Sequence, residues 1–254
     1  MTERLFVSSS TGPVVLGLSL PMGRIHVQVI ESLTAAQVTL HTDDTSGPAA
    51  DAIHAARHMQ DGQAFGIEVP ALPANVTMQG SGQEFRSGGV YGVVTNMTIV
   101  NGRVVSGGPQ RGRTVGEITA HVTLPAGSSL AVVSTSALVT TYGYLDRVEF
   151  RSQSGDLYAD GIRDLDADST SGDIHVGNIT GQITARTVSG DININLYQGR
   201  SAVVETTSGD VDMQVTPTAS GSIRARSVSG DVHLPGAGHL TVHARTVSGR
   251  TRTH

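Results

Sequence analysis

The sequence contains no cysteine and no tryptophan. Without thiols there are no disulfides, no thiolate nucleophile, no iron–sulfur cluster and no cysteine-ligated zinc. Lysine is absent too; all 17 basic residues are arginine. Charged residues are 15% of the chain, against about 25% in an average globular protein. Aromatic residues are only 4%, so an interior has to be built from small and β-branched side chains. A net charge of −5 offers no basic field to a phosphate backbone, which argues against nucleic acid as a partner. No apolar run approaches the roughly 18 residues that a membrane span needs. Near the N-terminus the apolar stretch is broken by Ser8, Ser9, Ser10, Gly12 and Pro13, before a secretory leader's apolar core can form. The expected location is the cytoplasm, with a surface location left open.

Glycine is abundant, with 31 residues among 254, and in the second half it is periodic. The triplet Ser-Gly-Asp occurs at Ser154-Gly155-Asp156, Ser171-Gly172-Asp173, Ser189-Gly190-Asp191, Ser208-Gly209-Asp210 and Ser229-Gly230-Asp231. Degenerate copies stand at Ser136-Ala137-Leu138 and Ser248-Gly249-Arg250. Successive copies lie about 19 residues apart.

Alignment on the serine makes apolar columns. Six before it stand Leu130, Val148, Leu165, Ile183, Ala202, Ile223 and Val242; four before it stand Val132, Phe150, Ala167, Ala185, Val204, Ala225 and Ala244. Three after it stand Val139, Leu157, Ile174, Ile192, Val211 and Val232, then Thr251. Five after it stand Ala159, Val176, Ile194, Met213 and Leu234. On each side of the triplet the columns are two residues apart, the period of a strand. Two before the serine only hydroxyls occur: Ser134, Ser152, Ser169, Thr187, Thr206, Ser227 and Thr246.

Two short strands joined at a glycine corner, repeated every 19 or so residues, predict one coil of a β-solenoid. A single coil cannot bury its apolar face, so coils stack and the columns become ladders inside a common core. The fold class is therefore all-β, a single-chain β-solenoid of about six to seven coils. The turn column is Gly155, Asp156, Gly172, Asp173, Gly190, Asp191, Gly209, Asp210, Gly230 and Asp231. An outward column, three before the serine, reads Arg151, Asp168, Arg186, Glu205, Arg226 and Arg245. Stacked at about 4.8 Å, its first five members would make opposite-charge pairs that penalise a slipped register.

Residues 1–125 lack this period. Alternation predicts strands over 14–20, 24–30, 37–42, 65–69, 76–79 and 117–125. A helix is expected over about 47–60, with Ala52, Ile53, Ala56 and Met59 on one face. Two β runs around Asn101-Gly102 predict a hairpin over 95–106, and 80–89 and 107–112 read as loops. With no linker at the seam, 1–125 is expected to be a β cap continuous with solenoid repeats over 126–254.

The run from His121 to Ser136 (HVTLPAGSSLAVVSTS), followed by iterated (Thr/Ser)-x-Ser-Gly-Asp-(Ile/Val)-x-(Val/Ile), resembles the bacterial putative-adhesin family of β-strand repeats, a domain of unknown function. The match covers about residues 117–250. The resemblance implies Ser-Gly-Asp coils of a β-solenoid and brings no catalytic residues.

The aspartates of the turn column suggest a calcium ladder, but one carboxylate beside a glycine per coil is accounted for by a turn role. Asp164, Asp166 and Asp168, with Asp160 nearby, alternate along one strand and so share a face. Paired carboxylates on a β-helix can hydrolyse glycosidic bonds, which makes a carbohydrate-active enzyme or polysaccharide-binding β-helix the alternative reading. His54 and His58 lie four apart on the expected helix, where a solvated face outweighs a metal pair. His175 and His233 share an outward column, with two coils between them. The serines of the triplets lack the strand-to-helix elbow of a hydrolase nucleophile. Repetition itself argues against catalysis, because an active site is built once.

These readings converge on a non-enzymatic structural or interaction protein with no cofactor and no metal, presenting a rigid repetitive surface to a protein or polysaccharide. Self-association is expected as well. The strand after the last corner carries Arg250, Thr251, Arg252 and Thr253 in place of apolar residues, and its backbone edge is free to pair with a second copy about a two-fold axis.

Overall fold

Strand periodicity in the sequence becomes strand in the structure, a computed structural model that describes residues 1–73, 76–78, 98–100, 103–105 and 113–253. In chain order come β1 (Thr2–Val7), β2 (Val15–Ser19), β3 (Met22–Ile30) and β4 (Gln37–Thr42), then helix α1 (Pro48–Ala55), then β5 (Arg57–Asp61) and β6 (Ala64–Glu68). Four short strands follow: β7 (Val76–Met78), β8 (Thr98–Val100), β9 (Arg103–Val105) and β10 (Arg113–Val115). Next are β11 (Thr119–Pro125), β12 (Ser129–Val133), β13 (Ser136–Ser152), β14 (Leu157–Ser169), β15 (Ile174–Ile179) and β16 (Gln182–Arg186). The chain continues through β17 (Ile192–Tyr197), β18 (Ser201–Glu205), β19 (Val211–Val215), β20 (Ser222–Arg226), β21 (Val232–His233), β22 (Thr241–Arg245) and β23 (Thr251–Arg252).

Two parallel ladders carry the fold. The first runs through β6, β2, β12, the C-terminal halves of β13 and β14, then β16, β18, β20 and β22. The second runs through β11, β3, the N-terminal halves of β13 and β14, then β15, β17, β19, β21 and β23. Each Ser-Gly-Asp corner carries the chain from the first ladder to the second, so one repeat is one rung of a β-solenoid-like stack.

The aligned columns pair in register. Leu130, Val148, Leu165, Ile183, Ala202, Ile223 and Val242 stand opposite one another in turn. Every member except Val242 is buried, as are the columns headed by Val139 and Ala159 down to Val232 and Leu234. Ala167, Ala185 and Ala225 keep the interior thin, while Phe150 and Val204 fill it.

The parallel pairing begins before the repeat does. Strands β2 and β3 form a rung directly beneath β12 and β13, with Leu16, Leu18, Ile25 and Val27 inside. Beneath that lies a rung of β6 and β11, with Phe65, Ile67, Ala120 and Val122 inside. The pairing therefore runs across residue 125. The β6–β11 rung is also interrupted: residues 69–118 are spliced between its two strands, where other rungs have a short corner. It comes later in the chain than the β2–β3 rung, yet sits below it.

Antiparallel strands close the N-terminal end. Strand β4 pairs antiparallel with β11, β1 with β4, and β5 with β6. Helix α1 packs Ala49, Ala52 and Ile53 into the same core. The helix expected over 47–60 stops at Ala55, and Ala56 turns out at φ −55°, ψ 140°. Residues 57–61 instead pair with the edge of β6 across a tight turn at Gly62, φ +56°. Met59, placed by periodicity on the buried helix face, is 71% exposed. A free sheet edge satisfied more backbone groups than one more helical turn would have. The hairpin strands β8 and β9 pair antiparallel; their Asn101-Gly102 turn and the expected loops at 80–89 and 107–112 lie outside the described residues.

Candidate functional site

The Ser-Gly-Asp corner is a hydrogen-bonded column. Ser152 Oγ accepts from Gly155 N–H at 2.8 Å, and Ser169 Oγ accepts from Gly172 N–H at 2.9 Å. In later rungs the same hydroxyl reaches the rung before it. Thr206 donates to Gly190 O (3.2 Å), Ser227 to Gly209 O (3.0 Å) and Thr246 to Gly230 O (2.8 Å). The glycines themselves stack so closely that a Cβ on Gly172 would lie 2.0 Å from Gly155 O.

The aspartates form a second column. Asp156 Oδ1 accepts from Asp173 N–H, Asp173 from Asp191, Asp191 from Asp210, and Asp210 from Asp231, all at 2.7–2.9 Å. Asp231 accepts from Arg250 N–H at 2.7 Å, and there the column ends, because Arg250 supplies no carboxylate. Each aspartate thus holds the backbone of the next rung. No cluster of three or more metal-ligating side chains occurs among the described residues.

The outward charge column makes the pairs its alternation predicts. Arg151 meets Asp168 at 3.3 Å, Arg186 meets Glu205 at 3.5 Å, and Arg226 meets Glu205 at 3.8 Å. Arg186 and Asp168 stand 3.9 Å apart. The last two members, Arg226 and Arg245, are paired in register with like charge.

Asp164, Asp166 and Asp168 do share one face, and each is already engaged. Asp164 accepts from Gln182 N–H at 2.8 Å and pairs with Arg163 at 3.1 Å. Asp166 takes a 3.0 Å bond from Arg151, whose guanidinium pKa is raised chiefly by that bond. Asp168 lies between Arg151 and Arg186. The oxygens of these three are spent on holding arginines and the backbone of the next rung, whereas a glycosidase needs two carboxyl groups set apart and facing the scissile bond. His54 and His58 fall on different elements, α1 and β5, and the His58 ring lies 5.5 Å from that of Phe6. His233 contacts Asp212 at 3.4 Å.

A further outward column, two residues after the corner aspartate, was accessible to the same alignment. It reads Thr140, Tyr158, His175, Asn193, Asp212, His233 and Arg252. The Tyr158 and His175 rings stack at 4.9 Å and 8°. Burial, with Asp156 and Asp173 nearby, raises the Tyr158 phenol pKa. Beside them is an open hollow of about 220 Å³ bordered by Thr140, Asp160, Asn193 and Asn195. Toward the N-terminus the column continues into His26 and His121, stacked at 5.6 Å. On the opposite ladder a larger hollow, about 710 Å³, passes over Gly17, Gly66 and Ala131 between Met59 and Val133.

At the C-terminal end, Arg250 precedes β23, and Thr251 and Arg252 pair with Val232 and His233. No strand pairs with the other edge of β22 or β23 among the described residues.

A family model described as Toastrack DUF4097 matches residues 75–252. The chain belongs to the Toastrack DUF4097 family. The sequence resemblance and the solenoid-like ladders thus point to the same group. Among solved structures, one described as a putative adhesin from Bacteroides fragilis NCTC 9343 is 11% identical, with a TM-score of 0.55 over 98% of this chain and 96% of that one. One described as a putative lipid binding protein from Parabacteroides distasonis ATCC 8503 is 10% identical, with a TM-score of 0.44 over 99% and 97%. One described as a putative cell adhesion protein from Clostridium sporogenes ATCC 15579 is 9% identical, with a TM-score of 0.35 over 98% and 97%. No curated protein matches the sequence. The first of these structures shares the fold over nearly the whole chain, the N-terminal rungs included, while the family match itself begins at residue 75. No helix among the described residues is long and apolar enough to cross a membrane.

Proposed function

We propose that this Toastrack protein is a non-enzymatic interaction scaffold, a rigid ladder whose outward columns meet a protein or polysaccharide and which also associates with itself. The observation that carries this reading is the engagement of its recurring polar side chains. The corner hydroxyls, the corner aspartates and the Asp164–Asp168 face all hold neighbouring rungs or arginines. What remains for a partner is the outward column of Tyr158, His175 and Asn193 with Asn195 beside it, Tyr158 and Asn195 exposed and His175 and Asn193 half-buried, a surface of stacked rings and amide or imidazole donors. Stacked rings and amides suit an extended polymer laid along the ladder better than a small enclosed substrate. The fold shared with a putative adhesin favours the cell surface over the cytoplasm as the site of action, and fractionation of the native protein decides between them.

The test is retention on immobilised polysaccharides and on partner proteins crosslinked in the native cell. Tyr158→Ser with His175→Ser should abolish retention and leave the melting temperature within a few degrees. Asp164→Asn with Asp166→Asn should leave retention intact. Hydrolysis of any polysaccharide that disappears with those two asparagines would overturn the proposal.

A further inference from the structure

The two ends of the ladder differ in charge. At the N-terminal end Glu3, Asp43, Asp51 and Asp61 are exposed, together with Arg57 on β5. A second arginine at this end, Arg4, is committed to the carbonyls of His54 and Ala56 at the end of α1, at 2.6 and 2.7 Å. At the C-terminal end Arg224, Arg226, Arg245, Arg250 and Arg252 are exposed, against one exposed carboxylate on these last rungs, Asp231.

Strand direction at the two ends also matches. Strand β1 is antiparallel to β4, and β4 is antiparallel to β11. Two reversals make β1 parallel to the whole second ladder, including β23. The outer edge of β1, like that of β23, has no strand partner among the described residues. Register extends the match. The column that ends at Arg250 runs back through the corner aspartates and Leu138 to Arg24, Thr119 and His41, and its first member is Glu3. The core is also less covered at the C-terminal end: Val242 and Ala244 are half-buried, whereas Ile223 and Ala225, one rung earlier, are fully buried.

Resting on the self-association in the scaffold reading, we propose that copies of this chain stack head to tail, with β23 of one copy pairing in parallel with β1 of the next. One added rung at the usual strand spacing of about 4.8 Å sets Arg250 beside Glu3 of the following copy. It also brings the basic end onto the acidic end and covers Val242 and Ala244. Two C-terminal ends meeting about a two-fold axis would instead set Arg250 and Arg252 against their own copies, which like-charge repulsion opposes. A head-to-tail contact does not close on itself, so assembly is open-ended.

Sedimentation velocity and light scattering on the full chain test this across a concentration series, at low salt and at about 1 M salt, where charges are screened beyond roughly 3 Å. Mass should rise continuously with concentration at low salt and fall back toward the monomer at high salt. Arg250→Glu alone and Glu3→Arg alone should each abolish the rise, with circular dichroism and melting temperature unchanged. An equimolar mixture of the two single variants should restore open-ended growth by strict alternation, because each end of one variant meets opposite charge on the other, and the double variant should recover open-ended growth alone. A closed dimer indifferent to Glu3→Arg, or a strict monomer at every concentration, overturns the stacking. Retention of the partner by such a monomer would leave the scaffold reading standing, whereas loss of partner binding in stacks of normal length would sink that reading alone.

Discussion

Gly172 and Gly17 are both glycines in a strand-rich chain, and the structure gives them opposite tolerances. A Cβ on Gly172 meets a backbone carbonyl oxygen at 2.0 Å, while one on Gly17 meets nothing within 4 Å. Gly172→Ala forces two rungs apart and should cost about 3 kcal/mol or more. Gly17→Ala removes a flexible residue from a strand and should gain about 0.5 kcal/mol. Urea midpoints of the two variants measure both. The requirement at Gly172 was legible in the sequence, because the corner recurs; the freedom at Gly17 was not, because nothing in a lone strand glycine says what lies over it. His26 provides a residue-scale pH dependence. Burial, then His121 and Arg24, push its pKa below the usual 6.5. The unfolded chain therefore binds this proton more readily than the folded one, and the stability tied to neutral His26 is present above about pH 6.5 and is lost as pH falls below it. The denaturation midpoint should drop between pH 7.5 and pH 5.5, and His26→Gln should flatten that slope.

Among the elements, the outward column on the first ladder behaves as a single unit. Glu205 sits between Arg186 and Arg226, at 3.5 and 3.8 Å. Glu205→Arg would place four guanidinium groups on consecutive rungs, at 186, 205, 226 and 245, and should cost about 1–2 kcal/mol at low salt. Most of that cost should vanish near 1 M salt, where screening removes it. Glu205→Gln should cost less and respond less to salt, and thermal melts at two ionic strengths separate the cases. This column was readable beforehand because a period fixes which side chains become neighbours. Helix α1 shows where periodicity fails. Ala52, Ile53 and Ala56 are buried as a helical face requires, and the pattern carried on to Met59 only by coincidence with the outward side of β5. The competition between one more helical turn and a free edge on β6 depends on a strand that follows in sequence, so no local window contains the answer. The acidic face was likewise half legible: alternation put Asp164, Asp166 and Asp168 together, but the arginines that occupy them come from Arg151, Arg163 and Arg186, two of them on other rungs.

Across the whole molecule, the repeats declared the second half, while the first two rungs stayed hidden because their joints, Leu20-Pro21 and the insert at 69–118, lack the Ser-Gly-Asp signature. That difference in construction sets how the molecule finds its fold. In the repeats, a rung is tied to its neighbour by residues 17 to 21 apart in sequence. The β2–β12 step is tied by Val14 N–H donating to Ser128 Oγ, 114 residues away. Closing a short loop costs little chain entropy and a long one more, and local contacts form first. The repeats should therefore assemble early and present β12 as the template on which the N-terminal rungs are laid last. Stopped-flow refolding distinguishes the two halves. Ile192→Ala should slow folding, whereas Leu16→Ala should leave the folding rate nearly unchanged and speed unfolding. If so, the N-terminal rungs are the clasp that governs the lifetime of the native state, and a ribosome making this chain has released its first strands long before the surface that will hold them exists.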